Sequence, residues 1–244
     1  MNALLAVLLA FPVVVMYHRI DVWAPRDSIS QRLTISPAQF TDELRSIQRL
    51  GLHTIGIAEL ARELSAHRSP VRAVLLTFDD GYSDQFRYAF PILQRFGDRA
   101  TFFVNVGTIG TPNHLTWREV EAMSRAGMSI ECHGIDHVDL ASLGVAAQSY
   151  QIGRCVRALS GRLGGAVLAY AYPSGKFDAQ TVALERQVGL LFGFTTDPRF
   201  QMDAQSPYEI TRIRIMSGMS DPHFAALLQR TPAYVNFATA SLSP

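Results

Sequence analysis

Asp79 and Asp80 stand side by side at the end of an apolar run, Ala73-Val74-Leu75-Leu76-Thr77-Phe78, and Gly81 follows them. Roughly fifty residues later, His133 and His137 follow a second short apolar run. One helical turn or a tight loop can aim two imidazoles spaced by four positions at a single ion. Two His and one carboxylate form a hydrolytic metal set that leaves coordination positions for water and substrate. Two acids allow a division of labour: one carboxylate on the metal, the other facing the attacking water. Side chains of consecutive strand residues point to opposite sides, and Gly81 permits a turn where the strand ends. Close carboxylates repel each other, and a divalent cation relieves that repulsion. Asp80 or Ser83 capping the next helix is the plainer reading, but capping accounts for one acid and not two.

Short apolar runs alternate with amphipathic stretches along the chain. Strands are expected at 13–17, 72–79, 100–106, 128–133, 167–172, 191–196 and 210–215. Helices are expected near 37–50, 57–67, 83–96, 116–126, 145–163, 178–189 and 221–230. The first of these carries clear end signals, with Ser36 as N-cap, Pro37 at the first helical position and Gly51 just past the end. Residues 73–76 and 101–104 are apolar without polar alternation, as expected for strands covered on both faces. Strands alternating with helices imply parallel βαβ units. Seven strands predict an α/β fold, a single distorted (β/α)7 barrel, with a doubly wound open sheet as the alternative. A barrel collects catalytic residues at the C-terminal ends of its strands. The polar residues at those ends are His18, Asp79, Asp80, Asn105, His133, the turn Tyr172-Pro173-Ser174-Gly175 and Asp197.

The segment Thr77-Phe78-Asp79-Asp80-Gly81, followed by His133-x3-His137, resembles the NodB-homology polysaccharide deacetylases, carbohydrate esterase family 4. The resemblance implies Asp79 as general base and Asp80, His133 and His137 as metal ligands. Leu140, three residues after the second His, fits the same pattern. Ala169-Tyr170-Ala171-Tyr172-Pro173-Ser174-Gly175 resembles the family's third motif, whose turn offers a backbone N–H to the developing oxyanion. Here that donor would be Ser174, with Tyr82, Tyr172, Pro173 and Gly175 expected on the substrate side. Many members carry an Arg in the third motif that braces the catalytic Asp, and Ala171 occupies its place. The fourth motif is reduced to Thr195-Thr196-Asp197-Pro198. No Leu-x-x-His follows residue 200, where His223 sits in an expected surface helix.

Met16-Tyr17-His18-Arg19 resembles the opening of the branch that includes the poly-N-acetylglucosamine deacetylases, in which the barrel is circularly permuted. His18 would then be the general acid; a core histidine is the alternative. Thr34-Ile35-Ser36-Pro37-Ala38-Gln39-Phe40 and Arg212-Ile213-Arg214-Ile215 also look like this branch. The resemblance spans about residues 13–216. It implies hydrolysis of an N-acetyl amide on an amino-sugar polymer or oligomer, with a divalent metal. Mixed imidazole and carboxylate ligands suit Zn²⁺, and Co²⁺ or Ni²⁺ would serve as substitutes. A His beside carboxylates can stay protonated near neutrality. A small-molecule amidohydrolase on the same scaffold, or a non-catalytic carbohydrate-binding relative, are the competing readings.

The 244 residues are 48% hydrophobic, enough for one sizeable core, and 22 basic against 21 acidic residues give a net charge of +1. No basic block marks a nucleic-acid surface. Cys132 and Cys155 are too few for a disulfide framework; a pair between them stays open, and Cys132 reads as a small buried strand residue rather than a metal ligand. Residues 1–16 carry no charge. The stretch 1–12 reads as an apolar N-terminal segment, either the remnant of an export signal or simply an apolar terminus, ahead of the barrel at 13–244. It lacks a basic n-region, and it is too short to span a bilayer. The expected location is the cell envelope, periplasm or exterior, with the cytoplasm as alternative. Trp23, Tyr82, Trp117 and Phe200 are candidates to stack on sugar rings, and residues 21–36 are expected to form a rim loop. Oligomeric state leaves no mark in the sequence.

Overall fold

The structure is a computed structural model that describes residues 8–196, 206–229 and 234–236. Asp197, Pro198 and Phe200, singled out above, lie outside these residues, as does 1–7 of the apolar N-terminal stretch. The strands are β1 (Leu8–Ala10), β2 (Val13–Tyr17), β3 (Arg19–Ile20), β4 (Thr34–Ile35), β5 (His53–Ile55), β6 (Ala73–Phe78), β7 (Thr101–Val104), β8 (Ser129–Cys132), β9 (Ala169–Ala171), β10 (Phe192–Phe194), β11 (Ile213–Arg214) and β12 (Tyr234–Asn236). The helices are α1 (Ser28–Leu33), α2 (Pro37–Arg49), α3 (Ile57–Ser65), α4 (Phe90–Phe96), α5 (Trp117–Arg125), α6 (Val145–Leu163), α7 (Ala179–Gln187) and α8 (Asp221–Leu228).

The main sheet runs β10-β9-β8-β7-β6-β2-β11, with β5 pairing the first half of β6, and every pairing in it is parallel. Ile213 lies opposite Val15 of β2, while Ile210, three residues earlier, bridges to Phe194 of β10. The segment 210–214 therefore joins the two sides of the sheet and closes the ring. Seven strands contribute, as in a (β/α)7 barrel, and the open-sheet alternative is set aside.

Alternation along each strand sorts side chains into two cores. Val15, Tyr17, Val74, Leu76, Phe78, Phe102, Val104, Ile130 and Tyr170 pack outward against the helices. Val14, Ala73, Leu75, Phe103, Ala169, Ala171, Phe192 and Phe194 fill the interior together with Phe11 and α3. The same period of two carries inner positions forward to the C-terminal mouth. Residues 73, 75 and 77 lead to Asp79; 129 and 131 lead to His133; 14 and 16 lead to His18.

α2 begins as its signals predict, with the Ser36 hydroxyl accepting from the Gln39 N–H and Pro37 in the first turn. The expected helix over 83–96 starts as a π-turn, Gln85–Ala89, before α4. Part of the expected rim loop is helical: Asp27 caps α1, which buries none of its residues. Leu8–Ala10 pairs antiparallel with Tyr234–Asn236, and Phe11 is buried. Cys132 is buried in β8, as expected, and the pairing that the sequence left open is formed. The disulfide to Cys155, with Cα atoms 5.9 Å apart, joins β8 to α6. Partners 23 positions apart on different elements give no local signal of their pairing.

Candidate active site

Asp79 ends the inner row of β6 and is 2% exposed. Both its oxygens are held by Arg212, with Nη1 to Oδ1 and Nη2 to Oδ2 each at 2.7 Å. The guanidinium itself is fixed by Thr77 Oγ1 at 3.3 Å and the Thr195 carbonyl at 3.4 Å. Burial works to raise the Asp79 pKa, but Arg212 and then His133 outweigh it, and the net shift is downward. Arg212 thus braces Asp79 from a segment far from the third motif, where Ala171 stands.

Asp80 leaves the strand with φ 73, in the left-handed region, and Gly81 continues with φ 70. Asp and Asn tolerate this region better than other side chains, and the turn carries the second carboxylate to the other side of the chain from the first. Asp80 Oδ1 lies 3.4 Å from His133 Nε2 and 3.3 Å from His137 Nε2. These are approaches without hydrogen-bond geometry, since Oδ1 is buried and unpaired. One donor atom from each of the three residues falls within 4.8 Å of the others. His133 donates Nδ1–H to the Ala171 carbonyl at 2.7 Å, which leaves Nε2 with a free lone pair. A buried unpaired carboxylate oxygen and an oriented imidazole fit a cation among the three. Burial opposes the charged forms of Asp80 and His133. The neighbouring opposite charges win, lowering the Asp80 pKa and raising that of His133. His137 is shifted down by burial and by His133.

His18 ends the inner row of β2, with Nδ1 buried and unpaired. Its pKa is lowered, because burial outweighs the pull of Asp79 and Asp80. Burial thus works against the protonated ring that the two carboxylates favour. Gln85, fully buried in the π-turn, donates Nε2–H to the His18 carbonyl at 2.8 Å and the Asp79 carbonyl at 2.5 Å. One amide therefore ties the ends of β2 and β6 together.

The Tyr172–Gly175 turn holds Ser174 in the left-handed region at φ 57, exposed between buried Pro173 and Gly175. A Cβ on Gly175 would lie 2.7 Å from the Thr196 nitrogen, so only glycine fits there. Tyr172 was expected on the substrate side, but its ring is fully buried. Its hydroxyl lies 2.7 Å from Glu185 Oε2 and 2.8 Å from the Tyr208 carbonyl. The hydroxyl donates, its one proton shared between these two acceptors. Burial pushes the Glu185 pKa well up, against the Tyr172 hydrogen bond. Pro173 and Gly175 likewise shape the turn from within.

At the rim, Tyr82 stacks on His114 with centroids 5.4 Å apart, and the Arg19 guanidinium lies over the Tyr82 ring, 4.6 Å from its centroid. Burial, and next the Asp80 charge, push the Tyr82 pKa up to about 12. Arg19 also pairs with Asp84 at 2.9 Å. Trp23 is 63% exposed, whereas Trp117 is partly buried against the outer core.

The family model described as "Polysaccharide deacetylase" matches residues 66–193, more than half of the chain. The chain belongs to the polysaccharide deacetylase family. Among related sequences, the protein YxkH of Bacillus subtilis (strain 168) is 29% identical over 217 residues, covering 88% of this deacetylase and 75% of YxkH. The poly-beta-1,6-N-acetyl-D-glucosamine N-deacetylase of Staphylococcus aureus (strain MSSA476) is 21% identical over 211 residues, 81% of this chain and 71% of that one. The Streptococcus pyogenes deacetylase PplD, solved in complex with acetate, superposes with a TM-score of 0.82 at 27% identity, covering 91% of this chain and 100% of PplD.

Two parts of this polysaccharide deacetylase's site escaped the sequence reading. The segment 212–215 was noted for its resemblance, but nothing local tied Arg212 to Asp79. Gln85 lies in the first turn of an apparently ordinary helix, and only the π-turn exposes its role.

Proposed function

We propose that this deacetylase hydrolyses the N-acetyl amide of N-acetylglucosamine units in a polymer or oligomer outside the cytoplasm, using a divalent ion, Zn²⁺ by ligand type. The observation that carries the reading is the Asp80-His133-His137 triad beside an Arg-clamped Asp79 at one barrel mouth. The similarity to the S. aureus enzyme supports the choice of substrate, and the acetate in PplD is the product such a reaction releases. The Cys132–Cys155 disulfide suits an oxidising compartment. Among the described residues, no helix is long and apolar enough to cross a membrane.

Asp80, His133 and His137 would hold the ion, which when bound supplies Lewis acidity to the acetyl oxygen and to water. Asp79, kept anionic by Arg212, accepts the proton of the attacking water. The Ser174 N–H stabilises the oxyanion as the carbonyl becomes tetrahedral, a donor worth about 10²–10³ in rate. The C–N bond then breaks, His18 gives a proton to the leaving amine, and acetate departs. Burial lowers the pKa of His18, and the charges of Asp79 and then Asp80 act to raise it.

Acetate release from N-acetylglucosamine oligomers, measured with and without chelator, tests the reading. Activity should vanish with chelator and return with Zn²⁺. Asp79→Asn should keep the metal and lose activity, and His18→Ala should slow turnover by about 10²–10⁴ with metal content unchanged. Chelator-resistant acetate release would overturn the metal role, and Asp79→Asn losing metal rather than activity would exchange the two aspartates.

A further inference from the structure

His133 and His137 are held by different means. The sheet fixes His133, whose N–H donates to the Val104 carbonyl at 2.9 Å and whose ring is tied to Ala171. His137 lies beyond the sheet, with φ 51 and a side chain 42% exposed. Its position depends on Gly134, Ile135 and Asp136, the three residues that separate it from His133.

The backbone of this loop is bonded from two sides. The carbonyls of Gly134 and Ile135 accept from the N–H groups of Val106 at 2.9 Å and Gly107 at 3.0 Å. The N–H groups of Ile135 and Asp136 both donate to one atom, Gln151 Oε1, at 2.9 and 3.1 Å. Gln151 Nε2 completes the clasp by donating to Asp136 Oδ2 at 2.8 Å. Backbone groups without partners are costly when withdrawn from water, and here a single side chain acts where a neighbouring strand would. Gln151 is 6% exposed and projects from α6, one turn before Cys155. That cysteine bonds α6 to Cys132, the residue preceding His133. One helix face therefore anchors both ends of the ligand segment. Gly134, at φ 92, leaves no room for change, since an added Cβ would lie 2.8 Å from the Tyr170 hydroxyl.

We propose that Gln151 is a positioning residue for the metal, holding the His133–His137 loop in ligand geometry before any ion binds. The proposal rests on the Asp80-His133-His137 reading above. Groups that orient metal ligands from behind typically contribute about 10- to 100-fold in affinity.

The test is Zn²⁺ affinity by competition with a chromophoric chelator, alongside thermal unfolding and amide hydrogen exchange of the metal-free protein. Gln151→Met keeps the side-chain length and removes the clasp. It should weaken Zn²⁺ binding by about 10-fold or more and speed exchange at Ile135 and Asp136. Gln151→Glu sets two carboxylates against each other and should also weaken binding. The double variant Gln151→Glu/Asp136→Asn reverses donor and acceptor and should restore affinity to within about threefold. Thermal unfolding of the metal-free proteins separates the clasp from a general loss of fold: Gln151→Glu should still unfold cooperatively while its Zn²⁺ affinity falls, so the pair carries the test even if Gln151→Met is unstable. Unchanged Zn²⁺ affinity in Gln151→Met or Gln151→Glu, or no recovery in the double variant, overturns the proposal. Asp80→Ala separates the two readings: if it binds Zn²⁺ like the parent, the metal site itself is misplaced.

Discussion

Asp79 and Asp80 are adjacent in sequence and opposite in environment. Alternation along β6 aims Asp79 at the barrel interior, where Arg212 takes both its oxygens. The left-handed turn at Asp80 sends the second carboxylate to the two imidazoles. The types and spacing of Asp79, Asp80, His133 and His137 were readable because each pair is local in sequence. Arg212 was not readable as their partner, because it lies 133 positions from Asp79 and reaches it only through closure of the barrel. A lysine cannot reproduce a two-pronged guanidinium contact, though it keeps the charge. Arg212→Lys should therefore leave Asp79 anionic but free to turn. Misplacing a catalytic group by about 1 Å can cost about 10² in rate, so acetate release should fall by roughly that factor while Zn²⁺ affinity stays within a few-fold. Wild-type turnover in Arg212→Lys would show that charge alone suffices.

At the scale of elements, the seven barrel strands and their helices were legible because continuous apolar runs and helix end signals are local properties. Elements without such a pattern were missed. β5, His53-Thr54-Ile55, holds a single apolar residue and so shows no apolar run, and α1 buries none of its residues, so it has no apolar face to read. The π-turn at Gln85–Ala89 gave the same helical pattern as an α-helix, yet it directs Gln85 toward the ends of two strands. The disulfide between β8 and α6 is of the same kind, a tertiary fact carried by two isolated residues. Its consequence can be sized from the 23 positions it encloses. In the chain-entropy view a loop of that length contributes about 3 kcal/mol. Replacing both Cys132 and Cys155 by Ala should lower the melting temperature by roughly 6–12 °C for a domain of this size. Scanning calorimetry under non-reducing conditions would show it. An unchanged melting temperature would mean that packing of α6 on β8 alone holds the two together.

The whole molecule is a ring of strands between an inner core and an outer one, and a buried acid joins the outer core to α2. Glu43 is 2% exposed, accepting from the Tyr17 hydroxyl at 2.8 Å and from Gln39 Nε2 at 2.9 Å. Burial pushes its pKa up to about 7 against both hydrogen bonds, with Asp221 and Asp42 adding to the rise. The unfolded chain releases this proton near the ordinary glutamate value of about 4.3. Between those two values the native state binds more protons than the unfolded one, so stability falls as pH rises. The contribution of Glu43 is complete below about pH 4, declines up to about pH 7 and is flat above it. A shift of this size corresponds to about 3 kcal/mol. Glu43→Gln keeps an acceptor for Tyr17 and has no charge to bury, so this decline should vanish in the variant. Denaturant midpoints at pH 5 and pH 8 measure the difference: the parent should lose about 2.5 kcal/mol more than Glu43→Gln over that interval, the rest of the decline lying below pH 5. Equal losses in the two proteins would move the pH dependence of the fold to another buried acid.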